Sequence, residues 1–167
     1  MRNSSERGAA ATSTPNVVLR EVAEADLDVF FDQQLDPEAT AMAAFPSRDR
    51  TAHMAHWAKI LGDEALVART IDADGQVAGY IGSWVNEHGA REIGYWLGKA
   101  YWGRGIATEA VARFVEMLHE RPLYAGVAEH NVASMRVLEK CGFVRLPEQP
   151  PPRPDEVVRV VEFELRT

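Results

Sequence analysis

Residues 92–118, EIGYWLGKAYWGRGIATEAVARFVEML, read as a strand, a glycine loop and a helix in direct succession, and this junction constrains the chain more than any other stretch. Ile93, Tyr95 and Leu97 alternate with Glu92, Gly94 and Trp96, as in a strand with two different faces. From Ala107 the apolar residues Ala107, Ala110, Val111, Phe114, Val115 and Leu118 fall on one helical face, and Glu109 stands four residues before Arg113 as a supporting ion pair. A helix is therefore predicted to begin near Gly105. Its first turn carries N–H groups with no partner inside the helix, and the aligned peptide dipoles place partial positive charge there. Gly103 and Gly105, followed by Ala107, leave no bulky side chain to keep an anion from the backbone, and Thr108 adds a hydroxyl. The loop reads as a pyrophosphate cradle.

Other proteins also place glycines between a strand and a helix. A P-loop needs Lys and then Ser or Thr after its last glycine, where this chain has Ile106 and Ala107. A dinucleotide fingerprint needs a glycine or alanine at Thr108 and opens its domain early, although Glu129 stands roughly where a ribose-binding acid would be expected. A tight turn without a ligand also fits the loop taken alone.

The second half of the stretch, LYAGVAEHNVASMRVLEKCGF, changes the balance. Together with YWGRGIATEA it resembles the GNAT superfamily of acyl-CoA-dependent N-acyltransferases, and most closely the branch of the RimJ and RimL protein N-terminal acetyltransferases. The resemblance implies an α/β GNAT fold: a mixed, mostly antiparallel central sheet of about seven strands, flanking helices, and a parallel pair that splays apart at the coenzyme. It implies acetyl-CoA as cofactor. The backbone from Trp102 through Gly103, Arg104, Gly105, Ile106 and Ala107 to Thr108 would hold the pyrophosphate, with Trp102 where many relatives have Arg or Gln. The main chain of Tyr95, Trp96 and Leu97 would line the thioester, and Asn131 would contact the pantetheine, although Asn is also among the best helix caps. Ser134 would protonate the leaving thiolate; the tyrosine that many relatives use for this is Leu138 here.

Other roles are read from position and charge. Lys99, Arg104, Arg136 and Lys140 gather positive charge around the two motifs, with Arg104 and Arg136 the foremost candidates for phosphate. Glu92 begins the strand beside the thioester and is the candidate general base, acting through water, with His130 and Glu129 behind it. By the resemblance, the helical region after the first strand shapes the acceptor site, so Phe45, His53 and Trp57 are candidate substrate contacts, Trp57 being also a natural core residue. His53 and His56 match no metal-ligand pattern. Cys141, the only cysteine, excludes an intramolecular disulfide and reads as core.

Along the chain, residues 1–15 are polar and small, with no apolar run fit for a signal peptide, and are expected to be a disordered tail before one domain over 16–167. NVVLREV is a first strand; two helices follow, one with Leu27, Phe30, Phe31 and Leu35 inward, one from about Asp49 with Met54, Trp57, Ile60 and Leu61 inward. Asp74-Gly75 marks a hairpin turn, and a second turn over 87–90 leads into the strand at Glu92. PLYAGVA, GFVRL and VVRVVEFEL are strands, the last closing the sheet; PEQPPPRPDE between the latter two is an exposed loop. A net charge of -7, from 18 basic and 25 acidic residues, argues against a nucleic-acid surface and favours cationic or amine partners. No apolar run approaches the ~18 residues of a membrane span, so a cytoplasmic protein is expected.

These readings converge on transfer of an acetyl group from acetyl-CoA to a primary amine, either a protein N-terminal amine or a small molecule, in a chain that could form a homodimer through its C-terminal strands. A coenzyme-A-binding regulatory module without turnover is the alternative from another class, motivated by Leu138. A nicotinamide-dependent oxidoreductase is the third.

Overall fold

The computed structural model describes residues 14–167, so the predicted tail lies, but for its last two residues, outside the described residues. Its elements run β1 (Val17–Arg20), α1 (Glu24–Gln34), α2 (Pro37–Ala43), α3 (Arg50–Leu61), β2 (Val67–Ala73), β3 (Gln76–Val85), β4 (Arg91–Leu97), a 3-10 turn (Lys99–Tyr101), α4 (Ile106–Met117), β5 (Leu123–Ala128), α5 (Val132–Lys140), β6 (Val144–Arg145) and β7 (Val160–Leu165). The strands form one seven-stranded sheet in the order β1-β2-β3-β4-β5-β7-β6. Every neighbouring pair is antiparallel except β4 with β5.

Strand alternation divides the core into two layers. Ile71, Ile81, Ile93, Leu123, Ala125, Phe163 and Leu165 are buried together with Ile106, Ala110, Val111 and Phe114 of α4 and Leu138 of α5. A smaller cluster joins Leu27 and Phe30 of α1 to Trp57 of α3 against Ala68, Val77 and Tyr80. There the rings of Phe30, Trp57 and Tyr80 meet pairwise at centroid distances of 4.8–5.0 Å, and burial pushes the Tyr80 phenol up to about 12. Asp26 ties α1 to the sheet: its carboxylate accepts from Arg20 (2.7 and 2.9 Å), the Ala23 N–H (2.8 Å) and the Thr70 hydroxyl (2.7 Å). The hairpin turn forms at Asp74 and Gly75, both at positive φ as such two-residue turns require.

Four expectations are corrected. A third helix, α2, stands before β2, started by Pro37 in the first position and by the Asp36 carboxylate, which accepts from the N–H groups of Glu38 and Ala39. Its run of small residues has too little apolar periodicity to be seen in sequence. Leu35 and Leu61 face solvent, 55% and 49% exposed, because α1 ends before Leu35 and α3 ends at Leu61. The GFVRL strand shrinks to Val144–Arg145. Finally, β7 does not close the sheet; it inserts between β5 and β6, leaving β6 at the edge.

Candidate active site

The parallel ladder between β4 and β5 consists of Arg91 opposite Leu123 and Glu92 opposite Tyr124, and goes no further. On their outer sides both strands stay paired along their length, β4 to β3 as far as Leu97 and β5 to β7 as far as Ala128. The two arms therefore diverge as a fork. From Ile93 to Leu97 the β5-facing edge of β4 has no strand partner, and such an edge accepts an extended ligand by backbone pairing.

At the open end of β4 lies the glycine loop. Gly103 and Gly105 have φ of 69° and 75°, conformations that glycine adopts without steric cost. Gly105 is the residue that caps α4, and it brings no side-chain cap. The first-turn N–H groups at Ile106, Ala107 and Thr108 thus keep their capacity for an outside acceptor. Nothing lies within 4 Å of where a Cβ at Gly103 would stand. Ile106, fully buried, anchors the turn, and the Trp102 indole N–H donates to the Leu97 carbonyl at 2.9 Å, holding the loop against the end of β4. Arg104 is exposed and lies 5.9 Å from the Tyr101 ring centre. Arg136 is exposed on α5, while Lys99 pairs with Glu38 rather than standing free.

The second motif faces the fork from α5. Asn131 caps this helix: its side-chain oxygen accepts from the Ser134 N–H at 3.2 Å. The cap uses only the oxygen of the amide, so its NH₂ group keeps both donors. The hydroxyls of Ser134 and Tyr95 meet at 2.7 Å. Burial pushes the Tyr95 phenol up to about 12, against the opposing effect of the Ser134 hydroxyl, so this phenol stays protonated at any working pH. Leu138 is buried in the core. Cys141 lies beside α4, its thiol donating to the Thr108 carbonyl at 3.4 Å and pushed up in pKa by burial, an environment that suppresses the thiolate.

On the opposite face of the sheet, Glu92 receives two donors, the Trp84 indole N–H at 3.2 Å and the Asn86 amide at 2.7 Å. The Trp84 ring lies so close over Gly94 that a Cβ there would fall 2.8 Å from it. His130 is exposed and bonded to the Ala41 carbonyl at 2.9 Å, joining the end of β5 to α2; Glu129 is exposed beside it.

The proposed acceptor contacts separate. Phe45 is 56% exposed, with the Arg48 guanidinium 5.4 Å from its ring centre. His53 is 3% exposed and its ring nitrogen is bonded to the Leu27 carbonyl at 2.8 Å, so it fastens α3 to α1 instead of facing an acceptor. Trp57 is core. Sequence reasoning missed the Tyr95 hydroxyl, having used only that residue's main chain, and missed Trp84, Asn86 and Glu162. Strand alternation puts Trp84 on the face of Glu92 and Glu162 at an alternating position of its own strand, but their proximity depends on register between strands distant in sequence.

Residues 16–144 match the acetyltransferase (GNAT) domain family, and the chain belongs to it. A probable N-acetyltransferase, YjcK of Bacillus subtilis (strain 168), is 54% identical over 55 residues, a match spanning 30% of this chain and 30% of that protein. An uncharacterized N-acetyltransferase, p20 of Bacillus licheniformis, is 26% identical over 142 residues, 78% of this chain and 80% of that one. Among solved structures, the spermidine N-acetyltransferase of Vibrio cholerae in complex with CoA and spermine superposes with a TM-score of 0.75 at 16% identity, covering 90% of this chain and 95% of that one. The fold and the family agree. The protein is an acetyltransferase of the GNAT family.

Proposed function

We propose that the protein transfers the acetyl group of acetyl-CoA to a primary amine by direct attack, with the fork between β4 and β5 and the glycine-capped start of α4 as the donor site. The observation that carries this reading is their juxtaposition: an unpartnered strand edge running from Ile93 to Leu97 into a helix start that carries no side-chain cap. Residues Trp102 to Thr108 would hold the pyrophosphate through main-chain N–H groups, assisted by Arg104 and Arg136. The β4 main chain at Tyr95, Trp96 and Leu97 would pair with the pantetheine, and Asn131 would contact it through the NH₂ that its cap leaves free. When bound, acetyl-CoA supplies an acyl group activated as a thioester.

This chain's own residues then have three tasks. Its backbone N–H groups near Leu97 offer an oxyanion a donor that needs no reorganisation. Ser134, backed by the half-buried Tyr95 phenol, would donate a proton to the departing sulfur. Glu92, fixed by Trp84 and Asn86, presents negative charge to the incoming amine.

The acceptor reading that follows from the RimJ/RimL-like motifs is a protein N-terminal amine, which at a reference pKa of about 7.7–8.0 is partly neutral at working pH. A small cationic amine is the second reading, favoured by the carboxylates of Glu92 and Glu162 on the same sheet face. Phe45 is the exposed apolar contact for either. A cytoplasmic location and a homodimer complete the reading, the latter checked by light scattering. Calorimetric titration with acetyl-CoA, coenzyme A and NAD, followed by thiol release with spermidine and an unblocked peptide, tests the whole. Binding of both coenzyme A forms with amine-dependent thiol release supports it; tight binding without turnover favours a regulatory module, and no binding of coenzyme A overturns it.

A further inference from the structure

Two carboxylates stand at the opening of the fork, one on each arm, and only one of them is committed. Glu92 on β4 occupies the last rung of the parallel ladder, opposite Tyr124. Two residues further along β5, on the same face, is Gly126, and Gly126 pairs with Glu162 of β7. Since β7 lies on the side of β5 away from β4, the side chain of Glu162 could have pointed away from the site. It does not: a Cβ on Gly126 would fall 3.1 Å from Oε1 and 3.4 Å from Oε2 of Glu162, so both carboxylate oxygens lie over the β5 main chain, in space that only a glycine leaves open.

The two groups differ in their partners. Both oxygens of Glu92 accept hydrogen bonds, from Trp84 and Asn86. The carboxylate of Glu162 has no hydrogen-bond donor among the described residues, although its backbone is held on both sides: its N–H donates to Gln149 Oε1 at 2.7 Å, and its carbonyl accepts from the Leu146 N–H at 3.0 Å and the Gln149 amide at 3.2 Å. A rigid backbone with a half-buried, unpartnered carboxylate is what a proton acceptor needs.

We propose that Glu162, rather than Glu92, takes the proton from the acceptor's ammonium group at the mouth of the fork. The assignment rests on the reading that the protein acetylates a primary amine. The charged groups facing Glu162 are Glu92 from β4 and Arg153 and Glu156 from the proline-rich loop; burial first, then Glu92, and more weakly Glu156, raise its pKa, and Arg153 opposes them. The result is a carboxylate with more affinity for a proton than an ordinary one. In the step itself one ammonium N–H bond breaks and its proton moves to Glu162. The freed lone pair on nitrogen forms the N–C bond to the acyl carbon, and the C–S bond breaks with its electron pair left on sulfur, which takes a proton from the Ser134–Tyr95 pair. The second N–H proton, lost as the neutral amide forms, passes through solvent to restore that pair, and Glu162 releases its own proton to solvent before the next turnover. An arriving cation also relieves the repulsion between the two carboxylates, so Glu162 selects for amines that bind as ammonium ions.

The test is the isosteric Glu162→Gln variant of the full chain, assayed by thiol release from acetyl-CoA with ethylamine and spermidine, which are ammonium ions at neutral pH, and with trifluoroethylamine, which is neutral there. The expected result is a loss of about a hundredfold in kcat/KM for the two ammonium acceptors, disappearance of the acid limb of their pH–rate profile, and a loss under about threefold for trifluoroethylamine. Acetyl-CoA affinity and Tm stay at wild-type values, and Glu162→Asp recovers part of the rate. Retention of the acid limb in Glu162→Gln overturns the assignment, as does an equal loss for all three amines together with weakened acetyl-CoA binding, which would mark a structural role. A wild-type protein that binds acetyl-CoA but acetylates none of the three also overturns it, while leaving the donor site standing. Failure to bind acetyl-CoA overturns the acetyltransfer reading itself.

Discussion

The hydroxyls of Tyr95 on β4 and Ser134 on α5 meet at 2.7 Å, linking one arm of the fork to the helix whose N-terminus faces it. Leu138, where the motif resemblance would lead one to expect a tyrosine acid, is buried in the core. A serine hydroxyl alone is a poor acid; one hydrogen-bonded to a protonated phenol can pass on a proton and be resupplied. Ser134→Ala and Tyr95→Phe are therefore each expected to lower kcat by about tenfold or more with little change in KM. Because they act as one unit, the double variant should fall no further than the worse single one. Additive losses in a double-mutant cycle would show that the two hydroxyls work independently.

Gly105→Glu tests the phosphate cradle. The substitution puts a carboxylate where the first-turn N–H groups of α4 would receive an anion, and it imposes a side chain on a φ of 75° at a strain cost of about 1 kcal/mol. Acetyl-CoA binding should become undetectable by calorimetry while the far-ultraviolet circular dichroism spectrum is unchanged. Gly103→Ala, at a φ of 69° with open space around it, should weaken binding far less because it brings no charge. Equal affinity in wild type and Gly105→Glu would place the coenzyme elsewhere.

Trp57 separates packing from acceptor recognition. It is 2% exposed between Phe30 and Tyr80, so Trp57→Ala should cost about 4 kcal/mol of stability through the lost burial and the cavity it leaves. At a temperature where the variant remains folded, KM for different amines should shift together. A change in the ranking of amines without loss of stability would return Trp57 to the acceptor site.

The legible parts of this protein were those written within one segment. The strand at Glu92, its glycine loop and α4 are local and periodic, and the motif around Asn131 is contiguous, so the elements that carry both halves of the proposed donor site are legible before any strand is paired. What lay hidden depends on pairing. Glu162 reaches the fork only because β7 inserts between β5 and β6 and because residue 126 is a glycine, and neither fact is contained in VVRVVEFEL. His53 failed in the other direction: a histidine on a helix looks available for chemistry until the Leu27 carbonyl is found 2.8 Å from its ring. The helix α2 was missed for lack of an apolar stripe, its start being set instead by Asp36 and Pro37.

Asp26 makes stability depend on acid. Burial alone would raise its pKa, but the Arg20 guanidinium, the Ala23 N–H and the Thr70 hydroxyl outweigh burial and hold the carboxyl down at about 2. The unfolded chain restores a value of about 3.9. With the folded pKa below the unfolded one, the unfolded state binds the proton more readily, so this contribution is fully present above about pH 5 and is lost as pH falls through about 4 toward 2. Asp26→Asn should cost about 2 kcal/mol at neutral pH, because it removes the charge while leaving Arg20 and the Thr70 hydroxyl with a weaker acceptor. In urea titrations between pH 6 and pH 2, the wild-type midpoint should fall more steeply than that of the variant, and the two curves should converge at the acid end. Parallel curves would mean that the ion pair is no stronger in the fold than out of it, and that α1 is held to the sheet by Phe30 and its neighbours alone.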